Sequence, residues 1–162
     1  MGDIVTMDDL TNEDIVAVLD DAERLVPVAR GDVYLPLLQG KVLANMFFEN
    51  STRTRMSFET AMKRLGGSVL NFTSIGTSVA KGETLYDTMQ MIDGYADLAA
   101  IRHPRQGAAQ YSADAVGIPI LNAGDGAGNH PTQTMLDLFT IRQAHGTLEG
   151  LNVVLVGDLR YG

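Results

Sequence analysis

The 162-residue sequence contains no cysteine. A disulfide scaffold, a thiol nucleophile and thiolate metal ligands are therefore excluded, and the composition is compatible with a reducing compartment. No apolar run approaches the roughly 20 residues that span a bilayer. Met1 to Asp9 is acidic, without a basic leader or a long apolar stretch. Neither export nor membrane insertion is expected, and the cytoplasm is the default location. Cations are scarce: 12 Lys and Arg stand against 20 Asp and Glu, a net charge of −8. Such a chain is not expected to coat nucleic acid, whose phosphates are held by clustered Lys and Arg. Most of the acidic excess reads as solvated surface. Each cation then matters individually, above all Arg53 and Arg55, two apart, whose rigid five-donor forks suit phosphate.

What is present suits one ordinary domain, with 45% hydrophobic residues to build a core. Thr11 followed by Asp14 forms a capping-box pattern, after which Ile15, Val18, Leu19, Ala22, Leu25 and Val26 recur at helical spacing. Val42 to Phe48 is a short, nearly continuous apolar run, typical of a strand buried on both faces. The alternation then repeats: a helix from Thr52 to Leu65 ending at Gly66-Gly67, a strand over Val69 to Thr73, a polar loop from Ser74 to Gly82, and a helix from Glu83. Strands are predicted at Leu98 to Ile101 and Ile118 to Leu121, with a helix around Gln106 to Val116 between them. A last helix opens at Pro131 and stops near Gly146. These elements imply an α/β fold, three-layered (αβα) and doubly wound, around a four-stranded parallel sheet. Residues 1–150 read as one domain. Val153 to Val156 reads as a further strand, so 151–162 is expected to open a second domain.

In open parallel sheets ligands bind beyond the carboxyl ends of the strands. After the first strand come Ser51, Thr52, Arg53, Thr54 and Arg55, where a helix begins. Unpaired backbone N–H groups and the positive end of the helix dipole make such a place an anion site, with phosphate the natural ligand. A Ser or Thr cap followed by solvated arginines would read the same way. The loop after the third strand brings Arg102-His103-Pro104 to the same edge. The glycine-rich stretch from Asn122 delivers His130 and Gln133, three apart, to the start of the last helix. A lone histidine is as readily a helix cap or a satisfied core ring. Neither of the familiar glycine-rich nucleotide motifs is present.

Together, the stretch Phe47-Phe48-Glu49-Asn50-Ser51-Thr52-Arg53-Thr54-Arg55-Met56-Ser57-Phe58-Glu59-Thr60, the Arg102-His103-Pro104 turn, and the run from Leu121 through His130-Pro131-Thr132-Gln133 to Asp137-Leu138-Phe139-Thr140 resemble the aspartate carbamoyltransferases. The likeness extends in order to Lys81-Gly82-Glu83-Thr84 and to Val156-Gly157-Asp158-Leu159-Arg160-Tyr161-Gly162. Ornithine carbamoyltransferases share the Ser-Thr-Arg-Thr-Arg and His-Pro-x-Gln segments, whereas Phe-Phe-Glu and Arg-His-Pro look like the aspartate enzymes.

The resemblance implies transfer of a carbamoyl group from carbamoyl phosphate to L-aspartate, in pyrimidine synthesis, without metal or cofactor. By it, Ser51, Thr52, Arg53 and Thr54 hold the phosphate, and Arg102 reaches phosphate and carbonyl oxygen. His130 and Thr54 polarise the carbonyl, and Gln133 accepts from the carbamoyl NH₂. Ser78 and Lys81 are implied to serve a neighbouring subunit's site in a homotrimer, and Glu49 to assist domain closure. Ala80 stands where the family often has a second lysine. The implied aspartate-binding arginines belong to a second domain, and a regulatory partner chain is possible. Two alternatives remain at this point: a module that binds carbamoyl phosphate or phosphate without catalysis, and a transcarbamoylase of another amino acid such as ornithine.

Overall fold

A computed structural model describes residues 2–73 and 82–157. A single 3-10 turn, Met7–Asp9, precedes helix α1 (Asn12–Arg30). The predicted capping box forms: the Thr11 hydroxyl accepts from the Asp14 backbone N–H at 3.1 Å, and the Asp14 carboxylate accepts from the Thr11 N–H at 3.0 Å. The chain continues through β1 (Val42–Phe47), α2 (Thr52–Arg64), β2 (Ser68–Thr73), α3 (Leu85–Asp93), β3 (Leu98–His103), α4 (Ala108–Ala115), β4 (Ile120–Asp125) and α5 (Pro131–His145).

The four strands are parallel in the order β2-β1-β3-β4. Side chains alternate across β1. Ala44 and Met46 join Ala99, Ile101 and Ile120 against Met89 and Ile92 of α3 and Ala109 of α4, while Leu43 and Ala100 face Met62 and Phe58 of α2 on the other side. Helix α1 packs on α2 and α5. Removing Met46, Met89, Ile101 and Ile120 from water, each at most 1% exposed, contributes about 1.5–3 kcal/mol apiece before entropy is counted. Helices thus cover both faces, as the alternation of elements predicts.

From β1 the chain moves outward to β2, then returns past β1 to β3, so the crossovers leaving β1 and β3 diverge. Their carboxyl ends bound the crevice that parallel sheets use for ligands. Parallel register sets Arg102 beside Phe47, and the Phe48 N–H donates to the Arg102 carbonyl at 2.9 Å.

Two expectations change, and the N-terminal segment makes a contact with the sheet that no sequence signal announced. Strands β3 and β4 run further than predicted, because His103 pairs with Asp125 across an irregularity in the ladder; Arg102 and His103 are therefore strand residues rather than loop residues. The N-terminal segment adds to the sheet beyond β4: Ile4 donates to the Ile120 carbonyl and accepts from the Asn122 N–H, both at 2.9 Å, and Val5 is buried. Val153 to Val156, predicted as a strand, lies in no strand and is exposed, Val156 at 92%. Apolar β-branched residues favour extended backbone, but a strand exists only where a neighbour takes up its N–H and C=O groups.

Candidate active site

The crevice between β1 and β3 opens into a cleft of ≈ 1230 Å³ bounded by the starts of α2 and α5, with Ser51, Thr52, Arg53, Thr54, Arg102, His130 and Gln133 on its walls. A groove of ≈ 390 Å³ between α1 and α2 is smaller and lined mainly by apolar groups such as Leu25, Val28 and Met56. Its polar side chains, Ser57, Thr60 and Arg64, all come from one helix. Ser78 and Lys81 lie outside the described residues.

Ser51 occupies the N-cap of α2 in extended backbone (φ −151°), yet its side chain makes no capping hydrogen bond. Thr6, Thr11 and Thr84 behave differently, each accepting from the backbone of the helical turn it opens. The cap explanation of Ser51 therefore fails. Its hydroxyl and the first amides of α2 remain for an anion at the positive end of the helix dipole. Among the described residues Arg53 and Arg55 enter no ion pair. Behind this turn, the fully buried Asn45 of β1 donates to the Arg55 carbonyl at 3.0 Å and to Asn71 Oδ1 of β2 at 3.1 Å, tying the start of α2 to the sheet.

Arg102 reaches the cleft from the end of β3. Its Nη1 donates to the Ala123 carbonyl at 3.4 Å, and its Nε lies 3.6 Å from Glu49 Oε2. That separation gives attraction but exceeds a hydrogen bond, and Nε is buried without a hydrogen-bond partner. An unsatisfied guanidinium nitrogen is costly, and Glu49, beside the serine-arginine motif, compensates it only by charge. The pairing of Glu49 with Arg102 has no signature in sequence, since 53 residues separate them.

Gly124 explains how Arg102 and His130 approach each other. At φ +117° it occupies backbone that side chains disfavour, and a Cβ there would lie 3.1 Å from Arg102 Nη1 and 3.3 Å from His130 Cδ2. His130 caps α5, its Nδ1 accepting the Gln133 backbone N–H at 3.3 Å, with Thr132 Oγ1 also 3.3 Å away. Burial, then the nearby Arg102 charge, lowers the His130 pKa below its ordinary value of 6.5. The ring is thus neutral at pH 7, and with Nδ1 accepting, its proton sits on Nε2 as a donor. Gln133 donates through Nε2 to Asp137 at 2.9 Å, which leaves its Oε1 to accept. Sequence alone allowed a capping histidine or a ligand-binding one. The ring does both, with one nitrogen for each.

The site is thus a helix start with free amides and an uncapped hydroxyl, facing a neutral imidazole donor and a carboxamide acceptor at the carboxyl edge of a parallel α/β sheet. Residues 2–143 match the family model described as "Aspartate/ornithine carbamoyltransferase, carbamoyl-P binding domain", and the chain belongs to that family. It is 54% identical to the aspartate carbamoyltransferase catalytic subunit of Archaeoglobus fulgidus, over 99% of this chain and 54% of that protein. Among solved structures, the catalytic subunit of M. jannaschii aspartate transcarbamoylase superposes with a TM-score of 0.92 at 49% identity, covering 100% of this chain and 53% of that one. Aspartate transcarbamoylase from Trypanosoma cruzi, in complex with carbamoyl phosphate and aspartate, superposes with a TM-score of 0.93 at 43% identity, over 98% of this chain and 52% of that one. The chain spans about half the length of the curated relatives it matches.

Proposed function

We propose that this chain forms the carbamoyl-phosphate half of an aspartate carbamoyltransferase active site, transferring the carbamoyl group to L-aspartate to give N-carbamoyl-L-aspartate and phosphate. The observation that carries this reading is the uncapped Ser51 hydroxyl at the start of α2, facing Arg102, His130 and Gln133 across one cleft. Ser51, Thr52, Arg53 and Thr54 hold the phosphate, Arg102 spans phosphate and carbonyl oxygen, and His130 with Thr54 donates to that oxygen. Gln133 Oε1 accepts from the carbamoyl NH₂. The aspartate amine attacks the carbonyl carbon, negative charge grows on the carbonyl oxygen, and the bond from that carbon to the bridging oxygen breaks, the oxygen leaving with phosphate, which takes up the nitrogen's proton. Donors fixed in advance at the carbonyl oxygen and the phosphate lower this barrier without a covalent intermediate.

In the same reading 1–150 is the carbamoyl-phosphate domain, and 151–162 opens the domain that grips aspartate. Ser78 and Lys81 complete a neighbour's site in a cytoplasmic homotrimer, with which a regulatory chain can associate. The T. cruzi complex with carbamoyl phosphate and aspartate supports these substrates over ornithine. The test is calorimetry with phosphonoacetamide, the non-hydrolysable analogue in which CH₂ replaces the bridging oxygen. Arg53→Ala and Arg102→Ala each remove charge-assisted hydrogen bonds worth about 1.5–3 kcal/mol, or about tenfold to a hundredfold in affinity. Unchanged affinity in both variants, with circular dichroism intact, would sink the assignment.

A further inference from the structure

Asp125, the last residue of β4, carries a carboxylate that the chemistry above does not use. It is buried, 3% exposed, and no ion pair among the described residues includes it. A buried carboxylate without a cation is tolerated only where hydrogen bonds replace its water. Here they come from two separate loops: Oδ2 accepts the Gly107 N–H at 2.8 Å, and Oδ1 accepts the Asn129 N–H at 2.6 Å. Gly107 opens α4 after β3; Asn129 immediately precedes His130. The backbone of Asp125 closes the same turn, its N–H donating to the Asn129 carbonyl at 3.2 Å and its carbonyl accepting from Gly128 at 3.0 Å, while Gly126 donates to the His103 carbonyl at 2.9 Å.

From this geometry we infer that Asp125 is a positioning residue, fastening the 125–129 turn to the start of α4 and thereby setting where His130 and Gln133 meet the ligand's carbamoyl end. Without the two carboxylate bonds the glycine-rich, exposed turn keeps its internal backbone bonds and the Gly126 bond to His103, but loses its tie to the start of α4. The phosphate end is held independently, by α2 across the cleft, and Arg102 is held by β3. Asp125 therefore acts on one end of the ligand only. The inference rests on the carbamoyl-phosphate reading and goes beyond it by assigning a role to a residue that touches no ligand.

The test compares two probes by calorimetry, inorganic phosphate and phosphonoacetamide, in wild type and Asp125→Asn. Asparagine keeps the shape but presents an NH₂ to one of the two N–H groups. The preference of wild type for phosphonoacetamide over phosphate should shrink by about tenfold or more in the variant, with phosphate affinity held within about twofold. A retained preference overturns the inference, as does an equal loss for both probes, which a merely structural role would give. A wild type with no preference refutes instead the carbamoyl-phosphate reading, and the Asp125 role falls with it. Should Asp125→Asn fail to fold, Gly128→Ala puts a methyl 2.6 Å from Asp125 Oδ1 at an exposed position. It displaces the same turn from outside the core, and the same outcomes decide.

Discussion

Replacing Gly124 with alanine separates backbone strain from displacement of the reactive groups. The residue sits at φ +117°, where an alanine costs about 1–3 kcal/mol in strain alone. The added Cβ would also lie 3.1 Å from Arg102 Nη1 and 3.3 Å from His130 Cδ2, closer than ordinary contact, so both side chains must give by a few tenths of an ångström. Those are two of the three groups proposed to meet the carbonyl oxygen. Losing alignment of one charge-assisted hydrogen bond is worth about 1.5–3 kcal/mol, or about tenfold to a hundredfold in affinity. Gly146, at φ +74° with no atom within 4 Å of its would-be Cβ, supplies the control: Gly146→Ala carries strain of about 1–2 kcal/mol and touches nothing. Urea denaturation should show both variants destabilised. Calorimetry with phosphonoacetamide should show only Gly124→Ala weakened. A folded Gly124→Ala that binds as tightly as Gly146→Ala would refute the claim that this glycine sets the distance between Arg102 and His130.

Thr11→Ala should cost about 1 kcal/mol of stability, the usual value of an N-cap, whereas Ser51→Ala should cost at most a few tenths but weaken phosphonoacetamide by about tenfold; thermal denaturation showing equal stability losses would make Ser51 an ordinary cap. Because burial and Arg102 hold the His130 pKa below 6.5, the unfolded chain takes up that proton before the folded one, so stability relative to His130→Gln falls as pH drops from 6.5 through the lower folded pKa. A midpoint at or above 6.5, read from the ring protons by NMR, would contradict the burial and charge argument.

Much of the fold was legible because its signals are local. Thr11 with Asp14 marks a helix start through contacts within one turn, and Gly31, at φ 86°, ends that helix without a Cβ penalty. The run Val42 to Phe48 announces a buried strand by composition alone. The ends of β3 and β4 were not legible: Arg102, His103 and Asn122 to Asp125 are polar or small and suggest loops, yet ladder bonds between the two strands hold them extended. Asn122 also donates from its side chain to the Val5 carbonyl at 2.9 Å, a contact across 117 residues that brings the N-terminal segment onto the sheet. Val153 to Val156 differs in the opposite sense, with strong local preference and no strand partner among the described residues.

For the site, the residue types and their spacing offered an anion site at the start of α2, since hydroxyls, guanidinium groups and helix amides there are neighbours in the chain, and equally a Ser or Thr cap with solvated arginines. Family resemblance added the carbamoyl end. Only tertiary structure decided that the Ser51 hydroxyl is free of capping, that Nδ1 of His130 accepts and leaves Nε2 to donate, that Gly124 lets Arg102 approach that ring, and that Asp125 fastens the turn before it. Each of these depends on which groups a side chain finds beside it after folding, and the sheet order β2-β1-β3-β4, not the distance along the chain, makes those groups neighbours.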